Sequence, residues 1–467
     1  MILGFGSVRL LEKLGIQPLM YHLNEGHCSF SSLQRIRILM HTGQSFEEAL
    51  EKVRSSTLFT THTPVPAGHD VFAFNLVNTY FVNLINEFGR ENFFSLGSYD
   101  LGAGTGFNMT VLGMKSSYHC NAVSKIHQKL TISMFKPLLD DLKIEYGKNF
   151  NNIVALTNGV HVQSFVSETI TEMFNLAKES WIATHDDYNA WVEILESLPN
   201  NIIWEFHLKA KDRLFRLIRE TARRKLHAGE WDSQQALVSG SLLDPKVLTI
   251  GFARRFATYK RATLIFTDLQ RLKRLLNNPH QPVQFVFAGK SHPLDDNGKK
   301  LIQEIVNHTK NPELNNRIAF IEDYDLAIAK ILIQGVDIWL NTPLKPNEAC
   351  GTSGMKASLN FIPNLSILDG WWAEGYNGEN GWAINPENET NSDRSAQDWI
   401  DAKSLYEILE NQVIPLFYDR QPDNFIPDGF IEIMKQAMVT AMTKFSSRRM
   451  VKDYIDNLYI SIIKNSI

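Results

Sequence analysis

Between residues 247 and 340, four short apolar runs are separated by three stretches of helical periodicity. No other feature constrains the fold as strongly. Val247–Phe252, Phe285–Gly289, Ile318–Ile321 and Val336–Leu340 read as strands. Leu264–Leu276, Leu294–His308 and Leu326–Ile333 read as the intervening helices. Such alternation argues for an α/β fold with a parallel sheet covered on both faces. Ligands in these sheets bind beyond the C-terminal ends of the strands. Arg254-Arg255, Gly289-Lys290, Tyr324 and the segment from Glu348 to Lys356 all follow strand ends.

The last of these segments, Glu348-Ala349-Cys350-Gly351-Thr352-Ser353-Gly354-Met355-Lys356-Ala357-Ser358-Leu359-Asn360, carries the densest chemistry. Thr352-Ser353 reads as a helix cap and Gly354–Asn360 as the first turns. Free backbone N–H groups and the positive end of a helix dipole then face the strand-to-helix turn, which suits a phosphate. Lys356 lies one turn further along the same side. A lysine shielded from water has a lowered pKa and can form a Schiff base with an aldehyde. A phosphorylated aldehyde, pyridoxal 5'-phosphate, satisfies both the lysine and the cradle. On residue types alone, a solvated surface lysine beside a glycine-rich turn is the commoner case.

Four basic residues, Arg254, Arg255, Lys260 and Arg261, fall within eight positions after the first of the four strands. They fit either a solvated helix start or an anion clamp in which arginine forks grip phosphate oxygens and lysine adds a point charge. Asn158, in Thr157-Asn158-Gly159, and His62, in Thr61-His62-Thr63, sit in loops after apolar runs in the first third, where neither is informative by itself.

Composition excludes several classes. Hydrophobic residues make up 44% and charged residues 21%, as in ordinary globular domains, and 467 residues suffice for two or three of them. A formal net charge of -4 gives no electrostatic case for nucleic acid or an anionic membrane. The three cysteines, Cys28, Cys120 and Cys350, form no CxxC, so neither a zinc site nor a disulfide framework is expected. No apolar run approaches a membrane span, and a cytoplasmic protein is the default.

The thirteen-residue segment resembles the pyridoxal-phosphate signature of the glycogen and starch (α-glucan) phosphorylases, and the similarity extends over essentially the whole chain. The Trp371-Trp372 pair resembles the short bacterial branch of that family. The resemblance implies two Rossmann-like domains of the GT-B glycosyltransferase type, with the active site in the cleft and the first domain incomplete. The implied division is 1–164, 165–428 with the cofactor, and C-terminal helices over 429–467 crossing back to the first domain. Lys356 would carry the cofactor, with Arg254, Thr352, Ser353 and Tyr324 also contacting it. Arg255 and Lys260 would hold the substrate phosphate. Glu348, Ala349, Cys350, Gly351, Asn158 and His62 would contact the sugar. The implied reaction is phosphorolysis of an α-1,4-glucan or maltodextrin end by inorganic phosphate. It yields α-glucose 1-phosphate with retention, and the cofactor phosphate acts as proton relay. Arg254 stands where the family commonly has lysine, Asp325 where it has arginine, Phe361 where it often has glycine, and Ala122 replaces a usual glycine.

Two other readings bear on function. Retaining nucleotide-sugar glycosyltransferases of the same fold often place a second glutamate where Lys356 stands, and lysine cannot accept ribose hydroxyl hydrogens. A non-catalytic, truncated phosphorylase is the other reading, because the family's glycine-rich phosphate loop has no counterpart upstream of Gly4-Phe5-Gly6. On that view the chain is N-terminally truncated, calls for a complementing N-terminal fragment or a homo-oligomer, and releases little glucose 1-phosphate alone.

Overall fold

A computed structural model describes the chain except for residues 66–67, 100–105, 148–149, 151, 178–180, 185–186, 315, 421–424 and 467. It is a mixed α/β structure in two compact units, Met1–Asn158 with Met450–Ile467, and Gly159–Arg449.

The first unit is built on a parallel sheet of order β1-β2-β5-β6, comprising β1 (Tyr21–Asn24), β2 (Thr57–Thr61), β5 (His119–Ala122) and β6 (Val154–Ala155). A small antiparallel pair, β3 (Val71–Phe72) with β4 (Phe107–Asn108), lies apart from it. Phe30, Leu33 and Ile36 from helix Phe30–His41 and Leu84 and Phe88 from helix Phe74–Phe88 form one apolar cluster. Val111, Met114, Phe135 and Leu138 help form a second. The last helices close a third, in which Tyr454, Leu458 and Ile462 pack on Leu58 and Leu156. Tyr459 also bonds His22 Nδ1 at 2.8 Å, and the Tyr454 hydroxyl accepts from Asn121 Nδ2 at 2.9 Å.

The second unit holds six parallel strands: β7 (Leu248–Ala253), β8 (Val283–Ala288), β9 (Ile318–Ile321), β10 (Ile338–Asn341), β11 (Asn364–Ile367) and β12 (Gly381–Ile384). Their order is β12-β11-β10-β7-β8-β9. The chain therefore starts in the middle, winds outward through β8 and β9, returns to β10 beside β7, and winds the other way. This is the doubly wound order, and the β7/β10 boundary is its switch point. The helices between β7 and β10 fall close to the expected ranges, but Leu264–Leu276 divides into a short turn and a helix, Leu269–Leu276, capped by Asp268. Strands β11 and β12 were not expected.

Charge fastens the opposite end of the switch point. Asp337, fully buried just before β10, accepts from the backbone N–H of Thr249 in β7 at 2.7 Å. It also pairs with His207 Nε2 at 2.7 Å and with Lys211, both on helix Asn200–His227. Lys211 in turn donates to the Val247 carbonyl at 2.9 Å. A buried carboxylate needs such complete partnering to offset its lost hydration. Helix Asp428–Lys444 belongs to the second unit, packing Phe430 near Trp382 of β12, and Met450–Ile467 belongs to the first.

Candidate active site

Three charged side chains from two strand ends meet at the C-terminal side of the switch point. Arg254 leaves β7, Lys260 follows it on a short turn, and Glu348 lies on the loop after β10. Arg254 Nη2 donates to Glu348 Oε2 at 2.5 Å, and Lys260 Nζ lies 3.1 and 3.4 Å from the two carboxylate oxygens. All three residues are at most 8% exposed. Burial alone would raise the Glu348 carboxyl, but the Arg254 and Lys260 charges overcome it and hold it below the usual carboxylate range. Burial, with the Arg254 charge adding to it, pushes Lys260 down to about 8 against the pull of Glu348. The second guanidinium nitrogen of Arg254, Nη1, is buried and has no hydrogen-bond partner among the described residues.

The basic cluster therefore divides by role. Arg255 is exposed at the strand end. Arg261, in the left-handed region at φ 46°, donates to the carbonyls of Thr342 and Pro343 at 2.9 Å and pairs with Asp398 and Asp401. It ties down the loop after β10. Tyr259, between them, is raised by burial and by Glu348, with Arg254 and Arg255 opposing. Tyr324, beyond β9, is raised by burial with Arg254 opposing. Asp325 caps the following helix through the N–H of Ile328 at 2.8 Å.

The Glu348–Lys356 segment differs from expectation at one point. Gly351, at φ 85°, is the residue before the helix, and Thr352 and Ser353 are its first two members, not its caps. Only a residue without a Cβ takes that backbone at no cost, so glycine rather than a hydroxyl side chain starts the helix Thr352–Ser358. Ser353 Oγ instead accepts from Trp339 Nε1 at 3.3 Å. Lys356 is half-buried. Its ammonium lies 4.4 Å from the centroid of the Phe165 ring, and burial lowers its pKa. Among the described residues no carboxylate pairs with it. Cys350 is buried, and its carbonyl accepts from the Trp371 N–H at 2.8 Å; Ala349 and Gly351 are partly exposed. Trp371 and Trp372 are core residues, 2% and 1% exposed, packed on Phe445 and Tyr376.

His62 and Asn158 belong to the first unit, after β2 and β6. The His62 N–H donates to Glu25 Oε2 at 2.7 Å, and its Nε2 lies 3.2 Å from Asn24 Oδ1. Glu25 also accepts from Thr63 Oγ1 and from the Gly26 N–H. It sits at φ 64°, ψ 170°, a strained conformation for a residue other than glycine. Burial lowers His62, opposed by Glu25. The Asn158 N–H donates to the Val123 carbonyl at 3.3 Å. The sequence reading passed over Asp369, which holds the Glu348 backbone. Its signal was an Asp-Gly pair closing an apolar run.

Fold and site define an α/β protein with a switch-point edge of buried charge suited to an anion. The carbohydrate phosphorylase family model matches residues 11–374, and the chain belongs to that family. It is 42% identical to the glycogen phosphorylase of Aquifex aeolicus, over 99% of this chain and 66% of that one. It is 41% identical to the maltodextrin phosphorylase of Thermococcus litoralis, over 100% of this chain and 54% of that one. Identity to the glycogen phosphorylase of Mycobacterium tuberculosis is 38%, over 98% of this chain and 53% of that one. The chain thus spans between about half and two thirds of these relatives' lengths. Among the described residues, no helix is long and apolar enough to cross a membrane.

Proposed function

We propose that the chain carries the phosphate- and cofactor-binding half of an α-1,4-glucan phosphorylase, acting on glucan or maltodextrin ends in the cytoplasm. In this reading its units are the two Rossmann-like domains of a GT-B glycosyltransferase. The observation that carries it is the Arg254–Lys260–Glu348 group at the switch point, with Arg254 Nη1 buried and unsatisfied among the described residues. An unpaired guanidinium N–H in that position is ready for an oxyanion.

The residues present fit pyridoxal 5'-phosphate. Lys356 has the lowered pKa and the absence of a described ion partner that suit a covalent anchor, and Arg254 offers a donor to a phosphate. The bound cofactor supplies a phosphate group able to exchange a proton with the substrate phosphate. The rest falls to this chain. Arg255 and Lys260 bind inorganic phosphate, and their charge, with that of Arg254, offsets the repulsion between neighbouring phosphates. Glu348 and the Ala349–Gly351 backbone meet sugar hydroxyls as acceptor and donors. Asn158 and the His62 backbone are the sugar contacts that this reading assigns to the first unit.

The test is phosphate-dependent release of glucose 1-phosphate from maltodextrin. It is run with the 467-residue chain alone and with the N-terminal part of a full-length relative added. Release in either setting, lowered about 30- to 1000-fold by Arg255→Ala, is expected. No release in both settings contradicts the reading.

A further inference from the structure

Asp369 follows β11 and is 2% exposed. Its two carboxylate oxygens each accept a backbone N–H: Oδ2 from Glu348 at 2.9 Å and Oδ1 from Gly370 at 2.8 Å. The segment it begins lies tight against the Glu348–Gly351 turn. Gly370, at φ 52°, would bring a Cβ to 2.4 Å from the Cys350 carbonyl oxygen, and the Trp371 N–H donates to that same oxygen. Trp371 also lies against Gly351 and Gly354, where an added Cβ would meet its indole at 3.5 and 2.9 Å.

We propose that Asp369 is a positioning residue for the anion site, holding the Glu348 backbone so that its carboxylate reaches Arg254 and Lys260. The argument is geometric. Glu348 reaches both cations through one flexible side chain, so its aim depends on where its Cα is fixed. Among the described residues, the Glu348 backbone N–H is fixed by the Asp369 carboxylate. The neighbouring Gly370 N–H orients the buried carboxylate through one oxygen and leaves the other to bracket the Glu348 N–H, so each oxygen has its own partner. Arg254 and Lys260 are in turn arranged around Glu348, so the bracket sets all three charges. The Asp369 carboxyl is pushed up to about 7 by burial, against its two N–H bonds.

The proposal rests on the reading of the site as a phosphate site, so its test has two arms. The first is hydrogen exchange of the peptide covering residues 345–353 in the whole chain. Asp369→Ala is expected to speed exchange there at least about tenfold, and Asp369→Asn, which keeps one acceptor, by less. Exchange equal to wild type in Asp369→Ala overturns the bracket whatever the site binds.

The second arm is calorimetric titration with inorganic phosphate. Asp369→Ala and Asp369→Asn remove the same charge, so the ratio of their affinities reports the bracket alone. Asp369→Ala is expected to bind at least about fivefold more weakly than Asp369→Asn. Asn380→Ala, which removes buried hydrogen bonds to the Gly375 carbonyl and to Thr440, should lower the melting temperature and leave phosphate affinity unchanged. Equal affinities of the two Asp369 variants overturn the positioning role while leaving the phosphate site standing. Absence of phosphate binding in wild type, unaltered by Arg254→Ala, overturns the reading of the site and the positioning role with it.

Discussion

The two units present parallel strands to their ligand edges in the same way and arm those edges differently. In the first unit the histidines are pushed toward the neutral form, and the Glu25 carboxylate beside them is taken up by the His62 N–H and Thr63 Oγ1. Burial, joined by the His62 charge, pushes His22 down to about 4, and burial does the same to His127. His62 and His69 are lowered as well, and around them lie Asn24, Asn121 and the Thr60 hydroxyl. In the second unit the edge holds Arg254, Lys260 and Glu348 as ions. Neutral donors and acceptors discriminate hydroxyl groups, whereas preorganised charges attract anions and organise a charged transition state.

Breaking the charged edge should have the largest effect. Arg254→Ala leaves Glu348 with Lys260 alone, and losing one partner of a buried pair costs about 3–5 kcal/mol. All nine tryptophans lie within residues 159–449, so tryptophan fluorescence in urea reports the second unit selectively. Its midpoint should fall sharply, while hydrogen exchange in β1, β2 and β5 stays as in wild type. A midpoint unchanged by the substitution would mean that the pair contributes nothing.

Acid should separate the units in opposite directions. His22 and His127 have folded pKa values of about 4, below the ordinary 6.5. The unfolded chain therefore binds more protons between those values, and the first unit loses stability as pH falls from about 6.5 to 4. Asp369 has its pKa raised to about 7 from 3.8, so the folded second unit binds the extra proton and gains stability over much the same range. Glu348, held below 4.5, withdraws its contribution only as pH falls beneath that value. Exchange in the first unit should accelerate from pH 6.5 to 5 while the tryptophan-reported midpoint holds or rises. A parallel loss in both units would erase the distinction.

Glu25→Gln sharpens the contrast with a smaller effect. It removes one of the acceptors that Glu25 offers to His62, Thr63 and Gly26. A loss of about 1–2 kcal/mol is expected in the first unit, seen by hydrogen exchange at residues 57–63, with the tryptophan signal unmoved.

What the sequence revealed follows from how local each signal is. Strands β7 to β10 were legible because they are continuous apolar runs. β11 was not, since Asn364 and Ser366 alternate with its apolar residues and break the apolar run. Both are buried, and Asn364 donates to the Gly354 carbonyl and to Ser358 Oγ. The thirteen-residue segment was legible as a string, but the hydroxyl cap was misplaced because Gly351 takes the left-handed turn. The basic cluster gave a list of charges without their partners. Arg254 meets Glu348 across 94 residues, and Asp369 meets the Glu348 backbone across 21, separations that no local pattern encodes. Burial likewise cannot be read from residue type. Arg254 and Arg255 are neighbours, yet the first is enclosed and the second exposed.

The central claim is that the second unit's edge binds a phosphorylated aldehyde through Lys356, and the most direct measurement is where that group attaches. The protein is incubated with pyridoxal 5'-phosphate, reduced with borohydride, digested and mapped. The account predicts a pyridoxyl group on Lys356, diminished by competing inorganic phosphate and lost in Lys356→Ala. A label on other lysines with Lys356 unmodified, or the same labelling in Lys356→Ala, would contradict it.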